Sequence, residues 1–259
     1  MFPAHRSHAA AVAALTLCAG LAACGRTPPR AASAPSPSAS TDYAIPPAAT
    51  SVRADAGGVT LSGTAQPGVR VRLGAPGGDA VFTPADATGR WRLRLPPSGE
   101  TRIFGLSEKV GARQAQGQGY VVVTPEGRGA LLRAGSGAIR LDARPAAALG
   151  AVDFDNEDGV VISGTAPAST LVFLRIDGRQ LAEARVDAGG RYNILLTQPL
   201  HGAHALEVAG DTFLSTGRVE VSRAAPLAAG PVRSQLTRGG RRIDWLTPGG
   251  GVQTTVLLD

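Results

Sequence analysis

Residues able to hold a metal, act as a nucleophile or carry a covalent group are sparse in this chain, and they do not converge. The densest set of oxygen ligands is Asp153-Phe-Asp155-Asn156-Glu157-Asp158-Gly159. Alternating carboxylates can surround a hard cation such as Ca²⁺, which takes about 6–8 oxygens. The spacing departs from the calcium loop of an EF-hand, because Asp158 stands where that loop needs glycine and no Glu closes it at the twelfth position. A solvated acidic turn therefore outweighs a calcium site at Asp153, Asp155, Glu157 and Asp158, and no cofactor is expected. His201 and His204 form a His-x-x-His pair with no cysteine near it, in a strand-like setting, and read as loop histidines rather than metal ligands. Nucleophilic catalysis needs a base oriented beside Ser or Cys. No Gly-x-Ser-x-Gly run occurs and no carboxylate pair is recognisable, so no catalytic residue is assigned and the chain reads as non-enzymatic.

The remaining reactive side chains are Cys18 and Cys24, both within the first 24 residues, which leaves the rest of the chain without a disulfide. They lie at the end of a recognisable pattern. Arg6 gives a short charged start, and residues 9–20 form an apolar run of about a dozen, long enough for a secretory signal and short for a membrane-spanning helix. Leu21-Ala22-Ala23-Cys24 follows: a leucine, two small residues, then cysteine. These four residues resemble the lipobox of bacterial lipoproteins. The resemblance implies a signal peptide over residues 1–23, diacylglycerol on the Cys24 thiol, cleavage before it and acylation of the new amine. Two or more acyl chains make a durable anchor where one does not. Gly25 replaces the Asp that favours inner-membrane retention in that family, which implies an outer-membrane location, facing the periplasm or the surface, in a Gram-negative host. The alternative is an ordinary signal peptide or an uncleaved anchor, with Cys24 incidental. Residues 24–50 then carry six prolines among Ala, Ser and Thr with no apolar period, and read as a disordered tether. Fully extended, such a run reaches roughly 80 Å at about 3 Å per residue.

Composition decides what lies beyond. Gly (34) and Pro (19) together make up about a fifth of the 259 residues, against roughly 12% in ordinary proteins. Both are costly inside helices, and many short strands joined by turns suit them better. Hydrophobic residues are 43% but aromatics only 4%, so any core is built from Val, Leu, Ile and Ala. The formal charge of +6 is almost all arginine, Lys109 being the single lysine. A basic balance can mark a nucleic-acid or anionic-surface partner. Here Arg70, Arg72, Arg90, Arg92 and Arg94 alternate with apolar residues, as solvated sheet faces do. No nucleic-acid partner is expected, and weak attraction to anionic glycan or lipid stays open.

A duplication organises these strands. Val59-Thr-Leu-Ser-Gly-Thr-Ala65 matches Val160-Val-Ile-Ser-Gly-Thr-Ala166, and Asp86-Ala-Thr-Gly-Arg-Trp91 matches Asp187-Ala-Gly-Gly-Arg-Tyr192, all at an offset of 101. Two tandem modules are the simplest cause. Period-two alternation between turns every 8–12 residues is the mark of an antiparallel sandwich. Asp86–Gly89 and Asp187–Gly190 are expected hairpin turns, and Trp91 and Tyr192 the core aromatics that follow them. On these motifs the sequence resembles bacterial immunoglobulin-like domains, over about residues 51–144 and 149–223. The first copy departs after Leu106, with an extra stretch to about Leu132. The second has Ala168-Ser169 where the first has the Pro67-Gly68 turn. The family implies an all-β fold of two tandem β-sandwiches used as spacer, stalk or interaction module, with no catalytic residue to carry over.

Residues 233–259 hold two β-prone runs around Pro248-Gly-Gly-Gly251 and read as a C-terminal β-hairpin. An isolated hairpin is marginal in water. It either packs on the second module or adds a strand to another protein. In the second case Trp245, beside Arg241 and Arg242, would anchor the partner. The expectation is a lipid-anchored cell-envelope protein in contact with envelope protein or peptidoglycan. The alternatives are a carbohydrate-binding module, which an exposed row of aromatics would favour, and an accessory subunit of an envelope enzyme or assembly.

Overall fold

The computed structural model describes residues 45–259; the expected signal peptide, Cys24 and most of the tether lie outside them. The described chain has nineteen strands and no helix. The first module is β1 (Ala48–Asp55), β2 (Gly58–Thr64), β3 (Arg70–Gly74), β4 (Ala80–Pro84), β5 (Arg90–Leu95), β6 (Arg102–Val110), β7 (Arg113–Val123), β8 (Gly129–Leu132) and β9 (Ile139–Arg140). The second is β10 (Ala148–Asp155), β11 (Val160–Thr165), β12 (Leu171–Ile176), β13 (Arg179–Arg185), β14 (Arg191–Leu195), β15 (Gly202–Gly210) and β16 (Phe213–Val221). The C-terminal segment adds β17 (Val232–Thr237), β18 (Gly240–Leu246) and β19 (Val252–Leu258).

These strands form four sheets. In order they are β1-β2-β5, then β4-β3-β6-β7-β8-β9, then β14-β11-β10-β19-β18-β17, then β13-β12-β15-β16. The first two sheets make one sandwich and the last two the other. Each pairs a three-strand unit of β1-β2-β5 type with a four-strand unit of β4-β3-β6-β7 type, a two-sheet antiparallel arrangement of the immunoglobulin-like class. The alternating sequence sets which side chains go in. On β5 the aromatic Trp91 and Leu95 are buried while Arg90, Arg92 and Arg94 are exposed.

The repeated motif is explained by one contact made twice. Gly63 on β2 lies opposite Trp91 on β5, and Gly164 on β11 lies opposite Tyr192 on β14. Each aromatic ring lies across its glycine, and a Cβ at either position would collide with the ring and with the carbonyl of Ala48 or Ala148. Trp91 Nε1 donates to the Thr64 carbonyl at 3.0 Å, and Tyr192 Oη donates to that of Ala148 at 3.1 Å. The Asp-x-x-Gly turn that delivers each ring is also held twice. Asp86 Oδ1 accepts from the Thr88 and Arg90 amides, and Asp187 Oδ1 from that of Arg191. Gly89 and Gly190 adopt φ of 77° and 73°, the left-handed region that glycine enters without strain.

Two features differ from the sequence reading. The first module does not depart from the second after Leu106. β6 and β7 form a hairpin equivalent to β15 and β16, and the added part is β8 with β9, which widens the second sheet. The Gln- and Gly-rich stretch of β7 (Gln114, Gln116, Gly117, Gln118, Gly119) hides the strand alternation there. The tail is a three-stranded meander rather than a two-stranded hairpin, and β19 pairs along β10, from Ala151–Leu257 to Asp155–Gln253.

The tail thereby creates a third core. Besides the two sandwich cores, centred on Leu61, Leu73 and Trp91 in one and Ile162, Leu174 and Tyr192 in the other, a separate cluster lies between the second and third sheets. Ile103, Val122, Ala130, Leu132 and Ala138 of the first module meet Ala151, Ile243, Trp245 and Leu257 there. Val256 and Leu258, on the opposite face of β19, fill the second module's core. One strand thus serves two cores, and the described residues form one compact unit.

Candidate binding surfaces

The acidic run at the module joint does not assemble a cation site. Asp153 and Asp155, two positions apart, share one face of β10, but Asp153 is covered at the seam between modules while Asp155, at the end of the strand, is exposed. Asp153 is 1% exposed. Its Oδ1 accepts from Thr255 Oγ1 at 2.5 Å and Gln253 Nε2 at 3.3 Å, and its Oδ2 from the Ala138 amide at 2.7 Å. Burial penalises the charged form more than these donors favour it, and the carboxyl is pushed up to about 6. Asp155 Oδ1 is occupied by the amides of Glu157 and Gly159, and Asp158, at φ 68°, faces His201 at 3.6 Å. Among the described residues no group of three or more His, Cys, Asp and Glu side chains is placed to hold a metal. The two histidine rings take different side-chain partners: His204 Nδ1 lies 2.7 Å from Asp177 Oδ2, in a turn of the second module, and its Nε2 lies 2.9 Å from the His201 carbonyl.

The residues expected to anchor a partner are inside the molecule, and that expectation is corrected. Trp245 is 0% exposed, its Nε1 donating to Thr255 Oγ1 at 3.1 Å and its ring meeting Tyr120 edge-on with centroids 5.9 Å apart. Arg242 projects from the opposite face of β18, where its Nε donates to Asp244 Oδ1 at 2.9 Å and its Nη1 to Ser222 Oγ at 2.7 Å. Burial raises the Asp244 carboxyl, but donation from Thr254, Arg233 and Arg242 outweighs it and leaves the group below the ordinary carboxylate range. Arg241 pairs with Glu126 of the first module. The sequence presents these residues as a basic aromatic tail. Apart from Asp244 on the same strand, their partners lie on other elements, and together they turn these residues into internal fastenings.

Three further arginines seal the seam around residues 257–259. Arg128 Nη2 meets Asp259 Oδ1 at 2.5 Å. Arg140 Nη1 donates to the carbonyls of Leu258 and Gly150 at 2.8 and 3.1 Å. Arg144 donates to those of Leu258 and Leu149 at 3.0 and 2.8 Å. A cleft of about 310 Å³ beside them is lined by Arg140, Arg144, Thr165, Arg191 and Asn193, but the first two are committed to the carbonyls just named.

One open face carries the alternating arginines that the sequence presents as a solvated sheet surface. The outer side of β1-β2-β5 presents Arg53, the hydroxyls of Thr60, Ser62 and Thr64, and Arg90, Arg92 and Arg94. The duplicate face in the second module, on β10, β11 and β14, carries Ala151, Asp153, Val161, Ser163, Asn193 and Leu195, and its β10–β11 part is roofed by the first module: Gly137 lies over Val161, Ser163 and Asn193, and Ser163 Oγ donates to the Ala138 carbonyl at 2.8 Å, while Arg191, Asn193 and Leu195 of β14 remain exposed.

No family model and no curated protein sequence matches the chain. Two solved structures resemble it at low level. One is a biofilm-associated protein BSP domain, 16% identical over 70% of this chain with a TM-score of 0.26, and the chain spans 30% of that structure's length. The other is the central fibronectin-III array of RIM-binding protein, 12% identical over 83% of this chain and 89% of its own, also with a TM-score of 0.26. The immunoglobulin-like description rests on the sheets themselves.

Proposed function

We propose that this chain is a lipid-anchored, non-catalytic protein of the cell envelope that presents a fused pair of immunoglobulin-like sandwiches as a spacer and contact module. The observation that supports a presenting role most directly is the third core. A tandem joined by a flexible linker lets its modules turn independently, whereas a hydrophobic seam with a shared strand holds them in one orientation. The membrane attachment rests on Leu21-Ala22-Ala23-Cys24 and the Pro-rich run behind it. Such a body, tethered, keeps its contact faces at a fixed geometry away from the bilayer. Envelope protein or peptidoglycan is the contact that this position offers.

The alternative of an aromatic-platform carbohydrate module loses support, because Trp91, Tyr192 and Trp245 are all buried. An accessory subunit donating its tail as a strand is also disfavoured, since β19 and β18 are paired within the chain and only β17 has an open edge. The anchor is tested by Cys24→Ser. We expect the variant to leave the membrane fraction and to lose metabolically incorporated palmitate. A variant that still floats with membranes and carries acyl chains would overturn the anchor.

A further inference from the structure

We propose that the outer face of β1-β2-β5 binds an extended acidic polysaccharide, its carboxylates against the arginines of β5 and its hydroxyls along the hydroxyl row of β2. The idea gives the envelope reading a partner, and rests on that reading only for where the partner is met. Every outward position of β5 is an arginine. Alternate residues on a strand stand about 6.8 Å apart, so Arg90, Arg92 and Arg94 set three guanidiniums in a line of roughly 14 Å. Their cross-strand partners on β2 are Thr64, Ser62 and Thr60, one strand spacing of about 4.8 Å to the side. Beyond these, Ser51 and Arg53 of β1 pair with Ser62 and Thr60. A row of hydroxyls is thus flanked by cations on both sides.

These cations are mostly uncommitted. Arg94 is paired with Asp55, but Arg53 and Arg92 make no ion pair among the described residues. A shallow depression of about 420 Å³ lies on this same face, lined by Thr50, Ser62, Thr64, Asp86, Arg90 and Arg92. Asp86 is the one carboxylate in it, and its Oδ1 is engaged by the Thr88 and Arg90 amides and the Thr88 hydroxyl.

The duplicate module supplies an independent argument. The fold already uses the β10–β11 part of this face for docking: in the second module Ala151, Asp153, Val161 and Ser163 are buried where the first module covers them, while Arg191, Asn193 and Leu195 of β14 stay exposed. In the first module it is left open, and its composition has changed in one direction. Arg92 stands where the second copy has Asn193, Arg94 where it has Leu195, Thr60 where it has Val161, and, by strand register, Arg53 where it has Asp153. Ser62, Thr64 and Arg90 match Ser163, Thr165 and Arg191, and the four replacements leave the face of the first module more basic and more hydroxylated than its duplicate, as an anionic hydroxyl-rich ligand requires. A bilayer is the less suitable partner. No outward side chain on this face is apolar beyond alanine, so nothing enters the acyl region, and the central hydroxyl row would have no role against lipid headgroups. A polyuronate uses both rows, with guanidinium–carboxylate pairs on one and hydroxyl–hydroxyl bonds on the other.

The test uses the full chain with Cys24→Ser, so that no acyl chain contributes to binding. Affinity electrophoresis in gels containing polygalacturonate should retard this protein, and the retardation should weaken as salt rises from about 50 to about 300 mM. The triple variant Arg90→Ser/Arg92→Ser/Arg94→Ser should bind at least roughly tenfold more weakly while keeping its thermal midpoint, since exposed arginines add little to stability. A control triple in the exposed arginines of the second module, Arg175→Ser/Arg179→Ser/Arg185→Ser, should bind like the parent. The proposal is overturned if the β5 variant binds unchanged, if neutral dextran retards the protein equally, or if vesicles containing phosphatidylglycerol bind through these arginines while polygalacturonate does not. None of these outcomes bears on the anchor, which the Cys24→Ser fractionation judges separately.

Discussion

At the scale of single residues, the positions that matter most are two glycines. Gly63 and Gly164 are small because an aromatic ring from the neighbouring strand occupies the space a side chain would take, and because a carbonyl of the first strand in each module presses in from the other side. The pairing is cross-strand rather than local, which is why Ser-Gly-Thr and Asp-x-x-Gly-x-Trp/Tyr recur together in both copies. Gly164→Ala should destabilise the protein by about 2–3 kcal/mol, the usual cost of forcing extra volume into a packed core. A urea midpoint equal to that of the parent would dismiss this account of the motif. Much of this contact is legible in the sequence, where the offset of 101 aligns both glycines and both aromatics. What the sequence hides is that the glycine and the aromatic touch.

Among the elements, the C-terminal meander is the least legible in the sequence. Val252-Gln-Thr-Thr-Val-Leu-Leu258 lacks a clean polar face, and Gln253, Thr254 and Thr255 suggest exposure, yet all three are buried. Their partners are Asp153, a hundred residues earlier, and Asp244 and Trp245 on the adjoining strand. Such distant satisfaction of polar groups leaves no local signature. Trp245 and the two arginines beside it read as a surface anchor for the same reason: Trp245 and Arg241 meet the first module, and Arg242 meets Ser222 and Thr254, none of them adjacent in the sequence. Trp245→Ala removes the largest side chain of the seam and should cost about 3–5 kcal/mol. It should also split thermal unfolding into two transitions, because the sandwich cores remain intact when the seam core is emptied. A single cooperative transition at the parental midpoint would show that the seam contributes little.

For the whole molecule, four stacked sheets enclose three cores, and the middle one contains an acid. Asp153 is neutral-preferring: its folded value is about 6 against an ordinary 3.8. A raised value means that the unfolded chain gives up the proton more readily than the folded one. The associated stability is therefore complete below about 3.8 and is lost as pH rises through about 6. The loss across that window is on the order of 3 kcal/mol, at about 1.4 kcal/mol per unit. Asp153→Asn stays neutral throughout, and its Oδ1 and Nδ2 can still meet the Ala138 amide and the Thr255 hydroxyl. Urea titrations at a series of pH values should show a flatter stability profile for the variant between about pH 4 and 6.5. Parallel profiles for parent and variant would remove Asp153 as the source of the slope.

The position of β19 has a consequence for the order in which the chain can be made. Synthesis runs from the N-terminus, and domains ordinarily fold as they emerge. Here β10 is complete about a hundred residues before its neighbour β19 exists. Until residues 252–258 arrive, the edge of β10 is unpaired and Ile103, Val122 and Leu132 have no opposing surface. Both modules must therefore wait, each with one sticky side, for a strand that comes after them. Under the proposed export, with the chain threaded unfolded, this wait would fall on the far side of the membrane, and any factor that shields unfolded chains there would find its binding site on these two faces.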